Sequence, residues 1–367
     1  MKKNTLVKQT VIISILVIFV LLAFAATYFY AAINSIYDDN IDIVTRTGDY
    51  SVPLTPEDSI IPIDSDSDSN SDNDSNSDSD SNNTDFPESS GEPVTTKPPP
   101  VEIPSPGRND SIYKKDPIDP NIWNILLLGK DSYGSSAGRT DAIMILSYNR
   151  QTHSIKLISL MRDMLVPIEG YDWDRINTPY IHGGIGLCIN TVNDVFDLDI
   201  QNYVMINFDG LEQFVDNIGG IEIDLTQDEV DYYNETFNLS LTVGVNTLNG
   251  KQALIHARNR SVGNYDFTRT QRQRDIIISL YNKILTENDL SKTIALINFA
   301  MGKVSTNIKA TELISLASEI MSAGKQPIDT FSLPTPGTFQ DAWYKNMRIL
   351  SIDILANRKE LRTMIYG

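Results

Sequence analysis

Five arginines crowd into the segment from Leu248 to Asp275 of a 367-residue chain whose formal net charge is -18. They are Arg258, Arg260, Arg269, Arg272 and Arg274. An arginine is always charged, and its planar fork donates paired hydrogen bonds to phosphate oxygens. A solvated basic helix is the ordinary interpretation of such a run. The alternative is a site that binds phosphate groups.

The residues around the later arginines predict a helix. Thr268 is expected to be its N-cap, with Gln271 completing a Thr-x-x-Gln capping box. Apolar residues then continue at helical spacing from Ile276 to Ile284. This helix should pack its apolar stripe on the domain core.

The helical period also sorts the arginines by direction. At about 100° per residue, Arg269, Arg272 and Gln273 point with the apolar stripe, whereas Arg274 points to solvent. An inward arginine without an anionic partner would cost several kcal/mol. The pattern therefore predicts that something negative binds at this face, with Arg272 a weaker candidate than Arg269.

Two aspartates lie at adjoining ends of two neighbouring predicted strands. Asp131 comes directly after the first strand, and Asp141 stands at the start of the second, beyond a short Gly- and Ser-rich loop. Magnesium takes one or two carboxylates and fills its other positions with water and phosphate oxygens. Such a pair suits a magnesium–phosphate site, although aspartates are also common in loops for purely structural reasons.

Further polar residues stand near the same strand ends. Arg162 follows the third predicted strand and could face the same edge as Arg139. Asp163 is expected to hold a backbone group or an arginine, and Arg175 is expected to be structural. The three histidines have no metal-ligand spacing. They are His153, His182 and His256.

Alternating strand and helix patterns predict a layered α/β/α domain with a central mixed β-sheet over residues 118–367. Strands are expected at 123–128, 142–148, 154–160, 203–208, 221–225 and 328–333. Helices are expected at 185–196, 211–218, 292–301, 311–321 and 349–364. Nucleic-acid binding is not expected, since the basic cluster is local and the chain is acidic.

The chain before residue 118 has three parts of different composition. Residues 1–10 carry lysines and are expected to be a cytoplasmic tail, followed by an uncharged run, 11–33, that is long enough to span a bilayer. A cleaved signal peptide is the competing interpretation of that run. Residues 34–117, acidic and rich in Ser, Asp, Asn and then Pro, predict a disordered tether. The domain is then expected outside the cell, anchored to the cytoplasmic membrane.

Taken together, the motifs resemble the LytR–CpsA–Psr family of cell-wall enzymes. The matching runs are NILLLGKDSYGSSAGRTD, SLMRD, RINTPY, LNGKQALIHARNR and DFTRTQRQ, in that order between Trp123 and Leu285. The resemblance implies a magnesium-dependent phosphotransferase. Such an enzyme moves an anionic glycopolymer, of the teichoic acid or capsular polysaccharide type, from an undecaprenyl-pyrophosphate carrier to a sugar hydroxyl of peptidoglycan.

The resemblance also implies a role for each matching residue. The metal ligands that match are Asp131 and Asp141, and Asp141, Arg139 and Arg162 match the catalytic set. The pyrophosphate-binding residues that match are Arg258, Arg260, Arg269 and Gln273. Lys130 and Tyr133 depart from the usual family pattern. A lipid-pyrophosphate hydrolase and a non-enzymatic protein that binds lipid-linked glycans or the cell wall remain alternatives.

Overall fold

The computed structural model describes residues 41–46, 51–56, 60–63, 111–131 and 139–367, apart from the side chain of Tyr265. The elements, in chain order, are β1 Ile43–Val44, β2 Ile61–Pro62, β3 Ile112–Tyr113, β4 Ile122–Lys130, β5 Thr140–Asn149, β6 Ile155–Leu160, β7 Leu165–Pro167, β8 Trp173–Arg175, α1 Pro179–Phe196, β9 Asn202–Asn207, α2 Phe208–Asn217, β10 Ile221–Leu225, α3 Gln227–Phe237, β11 Gly244–Leu248, α4 Gly250–Arg258, α5 Tyr265–Glu287, α6 Leu290–Met301, β12 Val304–Thr306, α7 Ala310–Ala323, β13 Ile328–Leu333, β14 Phe339–Tyr344, β15 Met347–Ile352 and α8 Ile354–Tyr366.

A six-stranded mixed sheet in the order β12-β9-β4-β5-β6-β13 forms the centre of the fold. β4 runs parallel to β9 and antiparallel to β5, while β6 runs antiparallel to β5 and parallel to β13. Five of the six predicted strands therefore lie in this one sheet, whereas the predicted strand 221–225 pairs with β11 in a separate two-stranded sheet. The predicted mixed α/β fold with a central mixed sheet is confirmed.

Alternation of side chains along the strands divides the core between two faces. One face of β4, β5 and β6 packs against α1 and α8 in the largest buried cluster. On the other face, Tyr148 and Ile155 pack with Leu316 of α7 and with Tyr281 of α5. A further cluster lies between α2, α3, α4, α5 and the antiparallel strand pair β10–β11. Helices thus cover both faces of the sheet.

The arginine-rich helix, α5, begins earlier than its sequence predicts. It starts at Tyr265 after Asn264, so Thr268 lies inside the helix and not at its N-cap. The hydroxyl of Thr268 instead accepts a hydrogen bond from the backbone N–H of Asn264, at 2.7 Å. The predicted capping box is wrong, because a Thr side chain can also accept a backbone hydrogen bond from a position inside the first turn of a helix.

The predicted final helix, 349–364, is also wrong at its start. Residues Met347–Ile352 form a strand paired with Phe339–Tyr344, and the last helix begins only at Ile354. The connection places Lys345 and Asn346 at positive φ, 47° and 64°, which is the backbone conformation of a tight hairpin turn.

Parts of the predicted linker 34–117 belong to the folded domain. Ile43–Val44 pairs with Ile112–Tyr113, and Ile61–Pro62 adds a strand to the edge of β14. Ordered structure therefore starts before residue 118. The proposed membrane span, 11–33, and most of the acidic run lie outside the described residues. Within the described residues, no helix is both long and apolar enough to cross a membrane.

Candidate active site

Three strand ends bring the predicted site residues to one edge of the sheet. Because β5 is antiparallel to both of its neighbours, its beginning lies beside the ends of β4 and β6. A Cβ on Gly129 would lie only 2.9 Å from the Cβ of Ala142, so glycine permits the close approach of β4 and β5. Asp131 and Arg139 are joined directly by a backbone hydrogen bond of 2.9 Å.

Asp141 is the carboxylate at the centre of this edge. Its Oδ2 accepts hydrogen bonds from Nη1 of Arg162 at 2.7 Å and from Nη2 of Arg260 at 3.4 Å. Its Oδ1 accepts one from Nδ2 of Asn177 at 3.1 Å. The predicted residues Asp141, Arg162 and Arg260 are thus brought together, although they are far apart in sequence.

A second carboxylate, Asp266, was not predicted and contacts three arginines. Its oxygens lie 3.3 Å from Nε of Arg162, 3.3 Å from Nε of Arg260 and 3.2 Å from Nη2 of Arg269. Burial alone would raise the pKa of Asp266, but these arginines hold it below its ordinary value. Asp266 lies in the first turn of α5, three residues before Arg269. That i,i+3 spacing was the available sequence signal.

Asp163 connects this cluster to Arg175, the arginine that was predicted to be structural. Its carboxylate lies 3.4 Å from Nε of Arg162 and 3.4 Å from Nε of Arg175. Burial raises the pKa of Asp163, and a hydrogen bond to Asp266 adds to the effect. The expectation that Asp163 holds an arginine in place is confirmed.

Arg269 is the buried member of the cluster. It is only 3% exposed, and within the described chain its Nε–H has no hydrogen-bond partner. Burial lowers the pKa of Arg269 to about 10, although Asp266 opposes the shift. A charged, desolvated donor without an acceptor is costly, and an anionic ligand would satisfy it.

Two predicted residues stand at the exposed rim. Arg258 is 54% exposed, and its Nη2 lies 4.0 Å from Oδ1 of Asp131. Its guanidinium also lies 4.5 Å from the ring centroid of Phe208. Gln273 is half-buried and donates from Nε2 to the carbonyl oxygen of Ala257 at 3.4 Å. Neither residue is joined to Asp141 by a direct contact in the described structure.

The remaining arginines of this segment stabilise the fold. Arg272 donates to Oε1 of Glu229 at 2.7 Å and to the carbonyl oxygens of Asn259 and Val262 at 2.9 Å each. Its donors are therefore used within the protein, although it points inward as predicted.

Arg274 does not point to solvent, and that prediction is wrong. It is 5% exposed, and its Nη1 donates to the hydroxyls of Ser159 at 2.6 Å and Ser332 at 2.7 Å. The helix face that looked exposed is covered by β6 and β13, to which those serines belong.

The carboxylates provide a donor set that suits magnesium. No cluster of three or more His, Cys, Asp or Glu side chains able to hold a metal occurs among the described residues. Asp131 and Asp141 are two hard oxygen donors at adjoining chain segments, and Asp131 is exposed. Two carboxylates are sufficient for magnesium when phosphate oxygens and water supply the other ligands.

Comparison with known proteins identifies the family. The family model described as "LytR_cpsA_psr family" matches residues 95–361, more than half of the chain. The protein belongs to the LytR–CpsA–Psr family. The matched region contains every residue of the cluster described above.

Curated relatives include two proteins at 31% identity. "Biofilm regulatory protein A" of Streptococcus mutans matches over 245 residues, 62% of this chain and 60% of that protein. "Polyisoprenyl-teichoic acid--peptidoglycan teichoic acid transferase TagU" of Oceanobacillus iheyensis matches over 229 residues, 60% of this chain and 70% of that protein. The chain thus spans only about 60 to 70% of the length of these two relatives.

A solved structure shares the fold. The Bacillus subtilis protein YwtF (TagT), solved with bound octaprenyl pyrophosphate lipid, is 22% identical and has a TM-score of 0.53. The likeness covers 69% of this chain and 94% of that one. At this identity, the likeness establishes the common fold of the two chains.

Proposed function

We propose that this protein is a magnesium-dependent phosphotransferase. It moves an anionic glycopolymer, of the teichoic acid or capsular polysaccharide type, from a polyprenyl-pyrophosphate carrier to a sugar hydroxyl of peptidoglycan. The observation that carries the proposal is the convergence of Arg162, Arg260 and Arg269 on the carboxylates of Asp141 and Asp266. The name of the relative TagU describes the same class of transfer.

The arginine cluster has the chemistry to hold a pyrophosphate. With Arg175 and Asp163 included, four guanidinium groups share three carboxylates, so the positive charge of the cluster is not fully neutralised by these partners. An incoming pyrophosphate can accept from Nε of Arg269 and from the exposed forks of Arg258 and Arg260. The carboxylates keep the arginines oriented before the ligand arrives, which reduces the cost of ordering them.

The proposed reaction develops negative charge where these arginines lie. A sugar hydroxyl oxygen forms a bond to the phosphorus that bears the glycopolymer, and the anhydride bond breaks to release polyprenyl phosphate. The arginines stabilise the charge on the departing phosphate and on the phosphoryl oxygens. Asp141 is the group proposed to orient the attacking hydroxyl and to accept its proton. Magnesium, when bound by Asp131 and Asp141, would neutralise phosphate charge.

The proposed reaction takes place at the outer surface of the cytoplasmic membrane. The run 11–33 would anchor the chain with residues 1–10 inside the cell. The polyprenyl carrier is a membrane lipid, so an anchored domain would meet its donor at the bilayer surface.

The test is transfer of a glycan from a synthetic polyprenyl pyrophosphate to peptidoglycan. Asp141→Ala and Arg269→Ala are each expected to lower the rate at least about 100-fold. Arg150→Ala is the matched control, since Arg150 is an exposed arginine at the turn between β5 and β6, away from the site. Wild-type rates in either site variant would contradict the assignment.

Product analysis distinguishes the proposal from its alternatives. A transferase forms a glycan–peptidoglycan phosphodiester that depends on the acceptor. Release of phosphorylated glycan at the same rate without peptidoglycan would instead indicate a hydrolase. Binding without turnover, unaffected by Asp131→Ala and Asp141→Ala, would indicate a binding protein.

A further inference from the structure

A polar cavity of about 370 Å³ opens beside the arginine cluster. It lies between the ends of β4 and β9, the first turns of α2 and the turn that precedes β12. Its polar lining residues are Lys130, Asn207, Asp209, Gln213, Lys303 and Ser305. Ligand cavities are roughly 300 to 1,000 Å³, so this one has room for one small polar unit of a larger ligand.

The charged residues of the cavity favour an anion. Lys130 and Lys303 come from different elements, and Asp209 is the one carboxylate in the lining. The ammonium groups lie 5.6 Å from the ring centroids of Tyr180 and Phe299, respectively. Such cation–π contacts are weak at exposed positions, so a phosphate can draw both flexible side chains away from the rings.

The floor of the cavity is held in place by close backbone packing. The side chain of Asn207 caps α2 by accepting a hydrogen bond from the backbone N–H of Gly210 at 2.9 Å. A Cβ on Gly210 would lie 2.6 Å from the carbonyl oxygen of Lys303, so only glycine allows the helix to approach this turn. The helix N-terminus also contributes a positive partial charge to the cavity. The cavity is thus formed before a ligand binds.

The cavity and the arginine cluster share a wall. Lys130 directly precedes Asp131, and Oδ1 of Asp131 lies 4.0 Å from Nη2 of Arg258. Phe208, which follows the cavity residue Asn207, lies under the guanidinium of Arg258 at 4.5 Å. A polymer whose reacting phosphate lies among the arginines can therefore extend past Asp131 into the cavity.

Building on the proposed function, we propose that this cavity binds the first phosphate-bearing repeat of the donor glycopolymer through Lys130 and Lys303. The lysines would then select anionic polymers over uncharged ones. A lysine binds phosphate as a point charge without fixing its orientation, which suits repeats that differ in sugar composition.

Binding is tested first, with a soluble glycerol-phosphate hexamer and the full-length protein in detergent. Lys130→Gln combined with Lys303→Gln is expected to raise Kd about tenfold at low salt. Lys130→Arg combined with Lys303→Arg keeps the charge and should bind nearly as the wild type does. Lys325→Gln is the matched control, because Lys325 is exposed and precedes β13 at the opposite edge of the sheet. An unchanged Kd in the double Gln variant would overturn the proposal.

Competition identifies what the cavity accepts. Inorganic phosphate should displace the hexamer only at far higher concentration, since it lacks the repeat. Equal potency of inorganic phosphate would show a site for single phosphate ions. Displacement by a peptidoglycan disaccharide, which carries no phosphate, would show that the cavity holds the acceptor. Either result would overturn the assignment to the donor polymer.

Transfer kinetics then test selection, with two donors on the same polyprenyl pyrophosphate. One donor carries a disaccharide only, and the other carries the disaccharide extended by three glycerol-phosphate units. The double Gln variant is expected to raise KM about tenfold more for the extended donor than for the short one. An equal loss for both donors would overturn the selection role. If the wild type transfers neither donor, the proposed function fails, whereas the hexamer measurement still tests the cavity.

Discussion

Arg260 and Arg272 lie twelve residues apart and differ in what their guanidinium groups can still do. Arg272 is 2% exposed and directs its donors to Glu229 and two backbone carbonyls. Arg260 is 42% exposed, and among the residues that the structure describes its ion pairs are with the carboxylates of Asp141 and Asp266. The comparison shows that the number of arginines in a segment does not measure its capacity to bind phosphate. What matters is whether the protein has already used their donors.

The largest expected effect is on stability, from the buried arginine. Arg272→Ala leaves the carboxylate of Glu229 buried without its partner and should lower the free energy of unfolding by about 3–5 kcal/mol. Urea denaturation of the soluble domain measures this. Arg272→Met combined with Glu229→Gln removes both charges and should recover part of the loss. A change below about 1 kcal/mol for Arg272→Ala would remove the distinction between the two arginines.

The buried cluster around Arg272 also predicts a pH dependence. His256 is 2% exposed, and burial lowers its pKa to about 4 from an ordinary 6.5. Between these pH values the unfolded chain takes up a proton that the folded protein does not. Stability should therefore fall by about 3 kcal/mol as pH drops from about 6.5 to about 4. Denaturation across this range should show a shallower loss for His256→Gln, and parallel curves would contradict the assignment.

Arg260→Ala is expected to affect activity much more than stability. Removing an exposed ion pair should change the free energy of unfolding by about 1 kcal/mol or less. The transfer rate should fall about 100-fold, because a donor to the developing phosphate charge is lost. Arg260→Lys, which keeps the charge but not the fork, should be intermediate. Equal losses of stability in Arg260→Ala and Arg272→Ala would break the comparison.

The smallest effect is expected at the rim. Arg258 is 54% exposed, and in the described part of the chain it makes one long ion pair to Asp131 and lies over the ring of Phe208. Arg258→Ala should change the free energy of unfolding by only about 0.5 kcal/mol. Binding of a short-chain polyprenyl pyrophosphate should weaken about three- to tenfold. A loss as large as that of Arg269→Ala would show that the exposed Arg258 contributes as much to phosphate binding as the buried arginine.

From the sequence, the members of this cluster could be predicted better than the residues that they contact. Helical periodicity correctly predicted that Arg269 and Arg272 point inward, because the direction of a side chain relative to its helix's apolar stripe depends only on neighbouring residues. It failed for Arg274, whose surroundings are set by strands that lie far away in the chain. Glu229, 43 positions before Arg272, likewise carried no local signal.

The fold, like the site, could be predicted where it depends on local sequence patterns and not where it depends on distant contacts. Buried strands such as β4 and β5 are long apolar runs, and the structure places them where the sequence does. The β14–β15 hairpin was missed because its half-buried strands contain apolar residues at spacings that also suit a helix. Only the pairing of the two strands across the turn, a non-local interaction, distinguishes a strand from a helix here.

If residues 11–33 are a membrane anchor, the strand pairs formed by the segments before residue 118 would limit how far the domain can lie from the membrane. Asp42 accepts a backbone hydrogen bond from Ile112 at 2.7 Å, so the chain already belongs to the domain at that point. If residues 11–33 are the proposed anchor, only residues 34–41 separate the bilayer from the domain. At no more than about 3.6 Å per residue, this segment would span at most about 30 Å. The acidic run falls between β2 and β3 in the sequence, and both of these strands belong to the domain, so its length adds nothing to that reach.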